Sequence, residues 1–233
     1  MMKLSAFGDS VLKGIVLEND KYKHSNACFI NIIKAELGAD IENKGKFGST
    51  VSVGRRTVEK NLESLKNTDS EYVFMEFGGN DCDFNWKEIS ENPDLPHKPQ
   101  TDIREFFEVY TKMINKLKGM GKKPIILSLP PIDAKRYFDK ISKGLNADNI
   151  LKWLSGNKQH ITDWHEMYNL ETFKIAMANK IPIIDITSKF LELNDYSCFL
   201  CDDGIHPNNK GHKIIAETII EYMREQKIVP CGV

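Results

Sequence analysis

Residues 3–14 read Lys3-Leu4-Ser5-Ala6-Phe7-Gly8-Asp9-Ser10-Val11-Leu12-Lys13-Gly14. A short apolar run ends at Gly8 and gives way to small and polar residues, the pattern of a strand that runs out into a turn. Further runs of this kind stand at 39–43, 71–77, 124–129 and 182–186. Between them lie segments of helical period at 25–37, 54–66, 102–118, 163–179 and 208–227. The clearest is 102–118, where Ile103, Phe106, Phe107, Tyr110, Met113, Ile114 and Leu117 recur at steps of three and four and predict a core-facing stripe. Thr101 or Asp102 suits its N-cap, and Gly119 and Gly121 stand just past its end. Strands that alternate with helices predict an α/β protein. We expect a three-layer α/β/α sandwich around a flavodoxin-like, doubly wound sheet of about five parallel strands. No linker, composition shift or internal repeat divides the chain, so one domain is expected over 1–233.

Composition narrows the function. The 233 residues are 41% apolar and 28% charged, with 32 Lys+Arg against 33 Asp+Glu, a net charge of −1. That balance offers no electrostatic footprint for nucleic acid or an anionic membrane. Five scattered cysteines, Cys28, Cys82, Cys198, Cys201 and Cys231, do not form the framework of a small secreted domain. Asp9 interrupts the N-terminal residues before a signal-peptide core could form, and no apolar run reaches the roughly 18 residues of a membrane span. A cytoplasmic protein with reduced thiols is expected.

In a doubly wound sheet, ligands bind outside the carboxyl ends of the strands. Four polar segments fall there: Gly8-Asp9-Ser10 with Gly14, Asn43 to Thr50, Gly78-Gly79-Asn80-Asp81, and Asp203-Gly204-Ile205-His206-Pro207. Of the six histidines, His206 has a carboxylate three residues earlier, with Gly204 between them to permit a tight turn. A histidine base needs such a carboxylate to fix its tautomer. Ser10, at a strand end, exposes a hydroxyl that a base could activate. Gly48 lets a backbone N–H approach an oxyanion closely, and Asn80 adds an amide donor. Each has a plainer reading: a helix cap for Asp203 and for Ser10, turn residues for Gly48 and Asn80.

Taken together and in order, Gly8-Asp9-Ser10-x-x-x-Gly14, Asn43-x-Gly45-x-x-Gly48, Gly78-Gly79-Asn80-Asp81 and Asp203-x-x-His206-Pro207 resemble the SGNH hydrolases, also called GDSL-type esterases and lipases. The block around Gly48 is the least specific, and Val11 stands where the family often has Leu. The resemblance implies Ser10 as nucleophile, His206 as general base then acid, and Asp203 as its orienting carboxylate. It implies an oxyanion hole from the Ser10 N–H, the Gly48 N–H and the Asn80 side chain. The implied chemistry is two-step acyl transfer from a small-molecule ester, with no cofactor or metal. We expect a short acyl group, acetyl or similar, on a carbohydrate or small polar alcohol. An O-acyltransferase, a lysophospholipase-type lipase and a non-catalytic carbohydrate-binding protein are the alternatives.

Asp81, Trp86 and Tyr137 are candidate substrate contacts, the two aromatics as platforms. Trp153 and Trp164 are weaker ones. Cys198 and Cys201 form a C-x-x-C pair, read as two core thiols because the second pair of a structural zinc site is missing. Cation binding by Asp81, Asp83, Asp202 and His206 lacks the usual ligand spacing. The long segments 82–100 and 130–162, each following a strand, are candidate walls of a binding site.

Overall fold

In the computed structural model, which describes residues 2–229, the chain runs through seven strands. They are β1 (Lys3–Gly8), β2 (Ile15–Glu18), β3 (Lys21–His24), β4 (Asp40–Asn43), β5 (Tyr72–Glu76), β6 (Lys123–Leu127) and β7 (Ile183–Ile184). Five of them form one parallel sheet in the order β4-β1-β5-β6-β7. Counted in chain order within that sheet, the second strand lies outside the first and the rest follow in sequence, the flavodoxin-like order. The order reverses between β1 and β5, and the crevice at such a switch point is where α/β folds bind ligands. Ser10 follows β1 and Asn80 follows β5, so this topology brings the two segments together.

Side chains alternate across the sheet, as strand geometry requires. Leu4 and Ala6 of β1, Phe74 of β5 and Ile125 and Leu127 of β6 join one core with helices Phe29–Leu37 and Asn209–Glu225. Phe7, Val73, Met75 and Ile126 point to the other face. There they pack with helices Val51–Lys60, Ile103–Lys118 and His160–Asn179. The expected stripe of helix Ile103–Lys118 is core: Phe106, Tyr110, Met113, Ile114 and Leu117 are buried, and Asp102 caps it by accepting from the Arg104 N–H.

Several boundaries differ from the sequence reading for local reasons. The expected helix at 54–66 is two helices, Val51–Lys60 and Leu62–Asn67. They part at Asn61, whose side chain turns back to donate to the Thr57 carbonyl at 2.7 Å. The strand expected at 182–186 keeps only two residues, because Asp185 accepts from the Ser188 N–H and starts helix Ile186–Leu191. The helix expected from 25 begins at Phe29, and β2 with β3 forms an antiparallel hairpin that the sequence reading did not anticipate.

The two long segments form a core of their own. Phe84, Trp86 and Ile89 from the first pack with Ile132, Phe138, Ile150, Leu154 and Ile161 from the second and from the helix that follows. Of the cysteines, Cys28, Cys82 and Cys201 are buried and Cys198 is exposed, so the expectation of two core thiols in the C-x-x-C pair holds for Cys201 alone. Cys231 lies outside the described residues. No helix among the described residues is long and apolar enough to cross a membrane.

Candidate active site

Ser10 opens a four-residue helix at the end of β1, and Asp9 caps that helix by accepting from the Val11 N–H at 2.8 Å. As the first helical residue, Ser10 has no carbonyl one turn behind it in the helix, so its N–H is open to a ligand. The turn tolerates nothing larger than glycine at position 8. A Cβ there would lie 2.7 Å from both the Glu76 carbonyl and Leu12 Cβ.

His206 is held on the opposite wall by its own loop. Asp203 Oδ1 accepts from the N–H groups of Ile205 and His206, each at 3.1 Å, while Oδ2 lies 2.7 Å from His206 Nδ1. Gly204 has φ +75°, and an added Cβ would meet the Asp133 carbonyl at 2.6 Å, so this turn requires glycine. A carboxylate only accepts, so the Nδ1 hydrogen points to Asp203 and leaves Nε2 with a lone pair. That lone pair faces Ser10: Nε2 and Oγ are 2.9 Å apart. All three side chains are buried. Burial opposes charge on Asp203, but hydrogen bonds from His206 and the Ile205 N–H, with the attraction of His206, outweigh it and hold the carboxyl below its ordinary value.

The loop after β4 is laced to β1. Lys46 N–H donates to the Gly8 carbonyl at 3.0 Å, and Asn43 Nδ2 donates to the Leu12 carbonyl at 2.8 Å. This brings Gly48, at φ +68°, to the edge of the same cavity as Ser10. Asn80 reaches it from the end of β5. Its Nδ2 donates to Asp9 Oδ2 at 2.8 Å and to the Ser49 carbonyl at 3.4 Å.

Behind Asp9 lies Glu76, whose Oε2 accepts from the Asp9 N–H at 3.4 Å. Both carboxyls are buried. Burial raises the Asp9 pKa, and burial together with the neighbouring Asp9 charge raises that of Glu76 well above its usual range. The two carboxyls titrate as a coupled pair, the charge of each holding the other towards its protonated form. Glu76 was not singled out from sequence, although a charge inside Val73-Phe74-Met75-Glu76-Phe77 was a readable signal.

The cavity, about 330 Å³, runs from Ser10, Gly48, Asn80 and His206 to a wall of Phe84, Trp86, Tyr137, Ile161, Trp164 and His165. Trp86 and Tyr137, the candidate substrate contacts, both line this cavity. Trp86 donates from Nε1 to Asp83 at 2.7 Å, and Asp83 is also hydrogen-bonded to Tyr137. Asp81 is a correction. It lies off the cavity, fully buried, with both carboxylate oxygens 3.0 Å from the Val51 N–H, where it anchors helix Val51–Lys60. Burial pushes its pKa up to about 7. Residues missed from sequence include Tyr22 and Phe47, which flank the His206 ring at centroid distances of 5.2 and 6.0 Å. Tyr22 comes from the unforeseen hairpin. The capping reading for Asp203 does not hold, because Asn208 caps the final helix.

Comparison with known proteins bears on the class. The sheet order brings Ser10 and His206 together at its switch point. A model of the GDSL-like lipase/acylhydrolase family matches residues 6–214, and the chain belongs to that family. It is similar to the GDSL esterase/lipase WDL1 of Oryza sativa subsp. japonica, 23% identical over 199 residues, 83% of this chain and 68% of the relative. Among solved structures it resembles a lipase/acylhydrolase from Enterococcus faecalis, with TM-score 0.68, 18% identity and 97% of each chain covered. It also resembles Axe2, an acetylxylan esterase from Geobacillus stearothermophilus, with TM-score 0.66, 20% identity, and 94% of this chain and 93% of that one covered. Axe2 has been solved as catalytic mutants at a serine, a histidine and an aspartate, the last two three residues apart.

Proposed function

We propose that the chain is a serine esterase that removes a short acyl group, acetyl or similar, from a carbohydrate-like or small polar alcohol. The observation that carries this reading is the unbroken chain Asp203 Oδ2–His206 Nδ1 and His206 Nε2–Ser10 Oγ, at 2.7 and 2.9 Å. In the proposed cycle His206 takes the Ser10 proton as Oγ attacks the ester carbonyl, and the imidazolium rests against Asp203. The Ser10 and Gly48 N–H groups hold the oxyanion, joined by the second Asn80 amide hydrogen as it leaves its long 3.4 Å contact with the Ser49 carbonyl. His206 then gives the proton to the departing alcohol, and water repeats the sequence on the acyl-Ser10 ester. The Asp-x-x-His spacing that Axe2 shares supports the assignment of Asp203 and His206.

The test is hydrolysis of p-nitrophenyl acetate, butyrate and octanoate by wild type, Ser10→Ala and His206→Ala. We expect turnover to fall by about 10³-fold or more in either variant, with acetate the best substrate for wild type. Turnover retained by Ser10→Ala removes the mechanism, and equal rates on acetate and octanoate remove the short-acyl reading.

A further inference from the structure

One polar group on the cavity wall has no role in this cycle. His165 sits on the inward face of helix His160–Asn179, is 5% exposed, and lines the same cavity as Ser10. Burial lowers its pKa to about 4, so the ring is neutral at pH 7. Its Nδ1 is sealed from solvent and has no hydrogen-bond partner. A neutral imidazole has one N–H and one lone pair. Burying an unmet acceptor costs less than orphaning an N–H, so the hydrogen belongs on Nε2 and the bare lone pair on Nδ1. Nε2–H is then a donor awaiting an acceptor.

Its surroundings define what could bring that acceptor. Phe84 and Trp164 meet with centroids 4.7 Å apart, Trp86 stands edge-on to Tyr137 at 6.4 Å, and Ile132 and Ile161 complete the wall. The nearby polar groups are already engaged, Asp83 with Trp86 and Tyr137, and Asn80 with Asp9. A cavity of about 330 Å³ is some two times the ~150 Å³ that admits benzene. If the acyl group is short, most of that space belongs to the alcohol.

We propose that this wall is a subsite for a ring-bearing alcohol half of the ester, packed among Phe84, Trp86 and Trp164, with His165 Nε2–H donating to an oxygen on the ring. The assignment deepens the serine-esterase reading and rests on it for the short acyl group. It makes His165 a specificity-determining residue: the substrate ring supplies contact area, and its oxygen meets the Nε2–H donor.

The test isolates one atom. 4-Methoxyphenyl acetate and 4-ethylphenyl acetate have nearly the same shape, with an acceptor oxygen in the first where the second has CH₂. Wild type should favour the methoxy ester about ten-fold in kcat/KM. His165→Phe should reverse that preference, and His165→Gln, which keeps a donor, should retain it. A second readout needs no turnover. Quenching of tryptophan fluorescence in the Ser10→Ala protein should report tighter binding of 4-methoxyphenol than of 4-ethylphenol, and the difference should vanish when His165→Phe is added. Equal ratios in wild type and His165→Phe overturn the proposal. So does a swing confined to esters with the ring on the acyl side, methyl 4-methoxybenzoate against methyl 4-ethylbenzoate. Should Ser10→Ala keep turnover while the binding difference still depends on His165, the catalytic reading fails and the subsite stands.

Discussion

Asn80 is fastened to the residue that precedes Ser10: its Nδ2 donates to Asp9 Oδ2 at 2.8 Å. One amide hydrogen is thereby fixed and the amide plane oriented, while behind Asp9 lies Glu76, whose pKa burial and the Asp9 charge raise well above its usual range. Glu76→Gln replaces an acid O–H donor with an amide donor and should keep kcat within about three-fold. Glu76→Leu removes the donor and leaves Asp9 charged and underpartnered, and should lower kcat about ten-fold or more with KM little changed. Steady-state kinetics on p-nitrophenyl acetate decide between them, and equal kcat values for the two variants would show that the pair does not position Asn80.

Asn80 itself is assigned to the transition state and not to the bound ester. Asn80→Ala should therefore reduce kcat and kcat/KM together by roughly 10²–10³-fold, the usual worth of one oxyanion donor. A rise in KM at constant kcat would instead mark it as a substrate-binding group.

Asp203 supports the base without touching substrate in the proposed cycle. Asp203→Asn should be less damaging than Ser10→Ala. The amide can still accept from the backbone N–H groups of Ile205 and His206 but cannot stabilise the imidazolium. Single-turnover rates of acyl-enzyme formation check the ranking, and a full loss equal to Ser10→Ala would contradict it.

Two buried histidines predict how the fold responds to acid. His165 and His212 are both held neutral by burial, with pKa values lowered from 6.5 to about 4. Between those values each of these histidines binds more protons in the unfolded chain than in the folded one, so its contribution to stability is lost as pH drops from 6.5 towards 4. Each histidine accounts for roughly 3 kcal/mol across that window. Buried Asp81, Asp9 and Glu76, with raised pKa values, act in the opposite sense over the same range, so the histidine contribution is read as a difference: between pH 7 and pH 4 His212→Leu should gain about 3 kcal/mol relative to wild type in urea unfolding. An unchanged slope in that variant would mean the ring titrates normally in the folded state.

Gly54 lies in helix Val51–Lys60 directly over Phe77, and an added Cβ would sit 2.3 Å from the ring. Alanine gains about 1 kcal/mol of helix propensity over glycine. Overpacking a buried ring costs about 1–3 kcal/mol. The steric term should win, and Gly54→Ala should melt at a lower temperature than wild type in a thermal scan.

The parts legible in the sequence were those where local chemistry and tertiary role coincide. Gly8-Asp9-Ser10 and Asp203-x-x-His206 mark both the turns and the groups those turns display, so the meeting of Ser10 with His206 followed from motif and topology together. Strands β1, β5 and β6 were readable because each carries a buried apolar run, whereas β4 buries Ile41 alone and β7 is the pair Ile183-Ile184. The hairpin was not. Lys21–His24 is a strand of four exposed residues, Lys-Tyr-Lys-His, with no alternation to betray it. Asp81 misled because its motif neighbour Asn80 faces the cavity, whereas the next residue along turns to the opposite side and caps a helix. His165 gave only the spacing of a buried face, Ile161, His165, Tyr168, which says that a side chain is inside but not that it borders empty space.

Ser10 and His206 are separated by 196 positions, one beside the first strand and the other beside the last helix. Hydrolysis on this scheme is thus a report on long-range closure of the sheet and its flanking layers, more demanding than any probe of helix content. During synthesis Ser10 emerges before the His206 loop and, on this scheme, stays inert until that loop has left the ribosome and docked. Onset of turnover would therefore time the final step of folding, and intermediates with native-like helices but an undocked C-terminal layer would be catalytically silent.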